Sequence, residues 1–142
     1  MTTRTPTESE VLAAASAIVD AFAATDTERY FAGFARDATF LFHTEPQLLD
    51  TPEYEDIWKG WVADGWRVLE CRSSERRVQT FPGGAVFTHH VFTRVDTGDG
   101  EDAYEERETI VFSVDDDGLI AVHEHLSPMP QDDNAEDDAN DE

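Results

Sequence analysis

Leu119-Ile120-Ala121-Val122-His123-Glu124-His125-Leu126-Ser127-Pro128 mixes apolar and polar residues over ten positions and stops at a proline. That is the pattern of a half-buried strand with a defined end. It is the last of four such segments. Trp66 to Thr80, Ala85 to Val95 and Ala103 to Val114 precede it. The joins are Phe81-Pro82-Gly83-Gly84, Thr97-Gly98-Asp99-Gly100 and Asp115-Asp116-Asp117-Gly118. Connections this short and this rich in glycine and aspartate predict antiparallel neighbours.

Upstream the period changes. Val11, Leu12, Ala15, Ile18, Val19 and Phe22 recur at helical spacing behind Thr7 and Glu10, which fit a capping box. This helix is expected to end near Ala24. Thr25 or Asp26 then caps a second helix, with Tyr30, Phe31 and Phe34 on its apolar side. Asp37 to His43 reads as a short strand. Thr51-Pro52-Glu53 starts a third helix with proline in its first turn, Gly65 stops it, and Tyr54, Ile57, Trp58, Trp61 and Val62 form its buried stripe.

The expected architecture is α+β: a cone-shaped roll in which three N-terminal helices pack on a strongly curved antiparallel sheet. The order of elements resembles the nuclear transport factor 2-like superfamily, in its SnoaL-like (polyketide cyclase-like) branch. Three stretches carry the likeness: Ala24 to Phe40, the helix from Pro52 to Gly65, and Leu119 to Pro128 with its His-x-His-x-Ser core. Leu119 stands where such strands usually begin with tryptophan. The likeness spans roughly residues 8–130 and implies a cavity at the open end of the cone. The family contains isomerases, cyclases, dehydratases, binding modules and assembly domains, so the resemblance implies a fold before it implies a reaction.

Domain organisation follows: a flexible leader at 1–7, the cone at 8–130, and a disordered acidic tail at 131–142. The tail holds Asp132, Asp133, Glu136, Asp137, Asp138, Asp141 and Glu142. Acidity runs through the whole chain. There are 32 Asp+Glu against 10 Lys+Arg, a formal net charge of -22 over 142 residues, and Lys59 is the only lysine. Such a chain repels itself in dilute buffer. The spread of the charge favours a halophilic protein over one with a local acidic docking surface. The field also opposes nucleic acid and anionic membranes as partners. Cys71 is the sole cysteine, which rules out an intrachain disulfide. The N-terminus lacks the basic flank and long apolar centre of a signal peptide, so a cytoplasmic location is expected.

All five histidines fall in or beside expected strands. His43, His90 and Glu108 are the candidates for proton transfer, dividing base, acid and orienting duties. Tyr30, Trp58, Glu124 and Leu126 are the candidate ligand-binding residues. The two-residue period puts Glu106, Glu108, Ile110 and Phe112 on one face, and Ile120, Val122, Glu124 and Leu126 on one face of the last strand. His123 and His125 then fall on the outer face, as an interface or alternative site, unless a bulge shifts the register. Phe87, Val91, Val95, Val111 and Ala121 would give that face an apolar patch for a homodimer through the sheet. No cofactor and no metal is expected.

Two functions fit. One is a small-molecule-binding protein of unassigned role, holding a small hydrophobic or carbonyl-containing compound. The alternative is a cofactor-independent isomerase, cyclase or dehydratase that abstracts a proton next to a carbonyl. The charge itself yields a first prediction. Raising KCl from ~0.1 M to ~1 M shortens the screening length from about 10 Å to about 3 Å. The melting temperature is expected to rise steadily over that range, and a flat or falling profile by circular dichroism contradicts salt adaptation.

Overall fold

The computed structural model describes residues 3–116 and 118–130. The first two residues of the expected leader, Asp117 and the acidic tail at 131–142 lie outside them. The elements run α1 (Glu8–Ala23), α2 (Thr27–Ala32), β1 (Phe34–Phe42), β2 (Leu49–Asp50), α3 (Thr51–Ala63), β3 (Arg67–Phe81), β4 (Gly84–Asp96), β5 (Glu101–Val114) and β6 (Leu119–Pro128). Three helices with a six-stranded, mostly antiparallel curved sheet make the α+β fold expected from the sequence. No helix among the described residues is long and apolar enough to cross a membrane.

Local signals set the helix boundaries. Thr7 and Glu10 close a reciprocal capping box on α1, and Asp50 and Glu53 do the same on α3, ahead of Pro52. Asp26 caps α2 by accepting from the Arg29 amide at 3.2 Å. α1 buries Val11, Ala15, Ile18 and Ala21, one stripe at helical spacing. α3 buries Thr51, Tyr54 and Trp58, whereas Val62, expected in the same stripe, is exposed near the end of the helix. Residues 3–7, expected as a loose leader, lie against the β3–β4 turn: the Arg4 carbonyl accepts from the Gly83 amide at 2.8 Å and Pro6 is buried.

The sheet order is β2-β1-β6-β5-β4-β3. β3 to β6 form the antiparallel meander that the short turns predict, while β1 lies parallel to β6, a pairing that joins the two ends of the fold. Bulges interrupt β3 between Val68 and Glu70 and between Ser74 and Arg77, and β6 at Val122. Each extra residue bends its strand and adds twist, so the sheet curls round the helices.

The apolar patch expected on the outer face is the main correction. Phe87, Val91, Val95 and Ala121 are buried on the helix-facing side; only Val111 of that set points outward. The reason is register: Phe87 pairs with Ile110 and Val91 with Glu106, so both share the inward side of β5. The outer face instead carries polar side chains, among them Thr88, His90, Arg107, Thr109, His125 and Ser127.

An aromatic cluster fills the narrow end of the core. Trp58 is fully buried, stacks on Tyr30 with centroids 4.8 Å apart, and donates its indole N–H to Thr27 Oγ1 at 2.7 Å. Phe40, Phe87 and Phe112 are sealed as well, each contributing about 1.5–3 kcal/mol of burial. At the other end two turns meet closely. Gly98, at φ 95°, passes so near Asp64 that a Cβ would stand 2.4 Å from its carbonyl oxygen, and Gly65, at φ 100°, lies alongside.

Candidate functional site

Between the helices and the inner face of the sheet the side chains leave a cleft of about 490 Å³. Phe22, Tyr54, Trp61, Trp66, Val95, Tyr104 and Leu126 supply its largely apolar wall, and His43, Thr44 and Glu45 edge it where β1 ends. A smaller chamber of about 40 Å³ lies deeper, enough for about one water molecule. The two share Phe22, Tyr54, Glu106 and Leu126 as walls. Ile18, Val19, Tyr30, Cys71, Val91, Thr93, Glu108 and Glu124 complete the inner one.

Strand parity places these groups. On β5 the alternation turns Glu106 and Glu108 inward with Ile110 and Phe112, as the sequence predicts. On β6 the expected face is realised only in its second half. Phe112 pairs with Ala121 and Val111 with His123, so Val122 is the extra residue of a bulge. Ala121 therefore faces inward before it, and Glu124 and Leu126 after it. Three glutamates end up beneath the helices, with exposures of 7% for Glu106, 8% for Glu108 and 2% for Glu124.

Each carboxylate has one partner. His43 Nε2 lies 2.6 Å from Glu106 Oε2, and His89 Nε2 lies 2.5 Å from Glu108 Oε1. Ser73 Oγ lies 2.6 Å from His89 Nδ1. The tautomer consistent with both contacts carries its proton on Nε2, donating to Glu108, and accepts from the Ser73 hydroxyl. The Tyr30 hydroxyl donates to Glu124 Oε1 over 3.3 Å and sits 3.1 Å from the Tyr54 hydroxyl. Since Tyr30 has a single proton to give, Tyr54 donates to Tyr30 in that arrangement.

Burial raises the pKa of Glu106; the hydrogen bond and charge of His43 pull against it, and Glu108 adds to it. Burial also holds Tyr30 and Tyr54 far above the ordinary phenol value, so both stay hydroxyl donors. The Cys71 thiol is pushed up to about 12, first by burial and then by the charge of Glu108, which removes it as a nucleophile near neutrality.

The candidates named from sequence divide accordingly. His43 edges the cleft, and Tyr30, Glu108, Glu124 and Leu126 line the inner chamber. His90 does not join them: it pairs with Arg107 in register and lies on the outer face. His89, the neighbour on β4 that shares the parity of Phe87 and Val91, stands beside Glu108 instead. Trp58 is sealed behind Tyr30, and Trp61 and Trp66 form the cleft wall in its place. His123 lies on the outer face with Nδ1 2.8 Å from Thr39 Oγ1, its pKa lowered by burial and by His125, which is exposed. Glu106, His89 and Tyr54 join the site without being among the candidates that the sequence singles out. The regular alternation of β4 carried the signal for His89.

The raised pKa of Glu106 has a definite sign in a stability measurement. Between the ordinary value of 4.5 and its higher folded value, the folded chain binds more protons at this site than the unfolded chain. Its contribution therefore favours the fold at the acidic end of that window and is lost as pH rises through the folded pKa. Melting curves of Glu106→Gln are expected to lose this component. Relative to the parent chain, the variant gains stability as pH increases across the window. A constant difference between the two contradicts the assignment.

Comparison with known proteins adds the lineage. No curated protein matches the sequence. Among solved structures, an NTF2-like protein of unknown function in nutrient uptake from Rhodospirillum rubrum is similar with a TM-score of 0.75 at 15% identity, over 84% of this chain and 98% of that one. An NTF2-like protein from Cytophaga hutchinsonii gives 0.73 at 9% identity over 84% and 95%. The association domain of CaMKII from C. elegans gives 0.66 at 19% over 84% and 94%. At these identities the likeness shows the fold alone. The model of the SnoaL-like domain matches residues 11–132, nearly the whole described chain, and the protein therefore belongs to the SnoaL-like family of the NTF2-like superfamily.

Proposed function

We propose that this domain is a small-molecule-binding protein whose ligand, mainly apolar in body, occupies the cleft between α1, α3 and the inner face of the sheet, in a protein adapted to high salt. The observation that carries this reading is the cleft itself. Its volume of about 490 Å³ falls in the range of about 300–1,000 Å³ typical of ligand sites. Aromatic walls lead to a few buried polar groups, which is how such sites combine affinity with orientation. Leu126 stands where the cleft and the chamber meet. Leu126→Trp fills that junction and is expected to abolish the thermal stabilisation produced by small aromatic and alicyclic compounds. Unchanged stabilisation in a folded variant overturns the location.

One observation supports a second reading, proton transfer next to a carbonyl. Glu106 combines a raised pKa with a histidine at 2.6 Å, beside a cleft able to hold the substrate. Glu106 would take the α-proton and His43 would hold its carboxylate in place. Exchange of benzylacetone α-protons in heavy water, followed by NMR, tests it. Glu106→Gln is expected to slow catalysed exchange by about 10²-fold or more. Equal rates in the parent and the variant remove the reading.

A further inference from the structure

The inner chamber has more negative groups than its protein partners use. Glu106 accepts through Oε2, Glu108 through Oε1 and Glu124 through Oε1, while Glu106 Oε1, Glu108 Oε2 and Glu124 Oε2 receive no hydrogen bond from any described residue. No fully enclosed side-chain oxygen lacks a partner among the described residues, so these oxygens are partly open; all three glutamates line the chamber, and Glu108 also borders the outer groove beside His90 and Arg107. Glu124 is the extreme case. It is 2% exposed, and its one side-chain hydrogen bond among the described residues, 3.3 Å from the Tyr30 hydroxyl, is longer than the 2.5–3.0 Å normal for O–H···O bonds. A buried carboxylate so weakly held is costly unless something else pairs with it.

The surroundings specify that partner. Among the described residues no arginine or lysine lines either cavity, and the titratable neighbours are Tyr30, His43, Glu45, Tyr54, Cys71, Asp102, Tyr104 and, behind Glu108, His89. Among the described residues, no three of the potential ligand side chains are disposed to hold a metal ion. The wall towards the opening carries Phe22, Tyr54, Trp61 and Trp66, whose ring faces attract a cation. An ammonium group offers three N–H donors and no acceptor, matching oxygens that can only accept when ionised. The net charge of -22 draws cations towards the molecule from solution.

We infer that the ligand of this cavity is an amine, its ammonium group seated among Glu106, Glu108 and Glu124 and its apolar body lying along the aromatic wall. The inference rests on the proposal that the cavity binds a small molecule, and it names the chemical class of that molecule. Glu124 supplies the deepest charge. Glu106, at the junction of the two spaces, meets the cation as it enters.

The test compares two probes of nearly equal shape, phenethylamine and phenethyl alcohol, by thermal shift and calorimetry at equal ionic strength. The amine is expected to bind at least about tenfold more tightly, which corresponds to about 1.4 kcal/mol. Glu124→Gln and Glu108→Gln are each expected to lower the amine-to-alcohol affinity ratio. Leu126→Trp is expected to remove the binding of both probes. Alcohol binding as tight as amine binding overturns the inference and leaves the small-molecule reading intact. Failure of both probes on the parent chain removes both. A ratio unchanged in the two glutamine variants, or amine binding that survives in Leu126→Trp, places the amine on the acidic surface and overturns the inference as well.

Discussion

One extra residue in β6, Val122, decides which side chains meet the helices. A strand with unbroken alternation cannot turn both Ala121 and Glu124 to the same side, because they are three positions apart. The bulge allows it. Ala121 packs into the core beneath α1, and two residues after the bulge a carboxylate enters the same interior. With Ala121 held inward, an unbroken alternation would point Glu124 to solvent and His123 and His125 inward. The third carboxylate of the cavity and the outward position of the histidine pair are thus two results of one backbone irregularity.

The aromatic residues divide the interior into a solid part and an open part. Phe31 packs edge-on against Tyr30 and Trp58, and Phe40 lies tilted against Tyr54, closing the narrow end. Tyr30 belongs to both regions: its ring stacks on Trp58 while its hydroxyl reaches Glu124. Buried tyrosines generally find a partner for the hydroxyl, and here the partners are another tyrosine and an acid at the floor of the chamber. Packing therefore fixes the orientation of a polar group in the cavity, and the rigid cluster serves as the support of the site.

Much of this was legible in the sequence. The capping box at Thr7, the proline of Thr51-Pro52-Glu53 and the glycine-bearing turns mark most boundaries, because they act through local backbone chemistry. The inward face of β5 was readable from Ile110 and Phe112, which carry Glu106 and Glu108 with them. Three things were not. The parallel pairing of β1 with β6 joins Phe34–Phe42 to a strand some eighty residues later, and no local pattern encodes it. The Val122 bulge leaves no composition signal in Ala-Val-His. On β4, Phe87, Val91 and Val95 do mark a buried face, but an apolar row fits an outer dimer patch as well as an inner wall. Reading it as outer brought His90 into the candidate set and left out His89. The distinction needs the register with β5.

The contact between Gly98 and the Asp64 carbonyl bears on how the cavity communicates with solvent. Trp66 follows one of these turns closely and Val95 and Thr97 lie just before the other, and all three edge the cleft. With backbone resting on backbone, that side of the doorway acts as a fixed jamb: parting it means separating two turns that have no side chain between them to rearrange. The opposite jamb, from His43 to Glu45, follows the end of a strand and is exposed at several positions. For the ligand proposed above, girth would be judged against the exposed residues just past Phe42, not against the tryptophan wall.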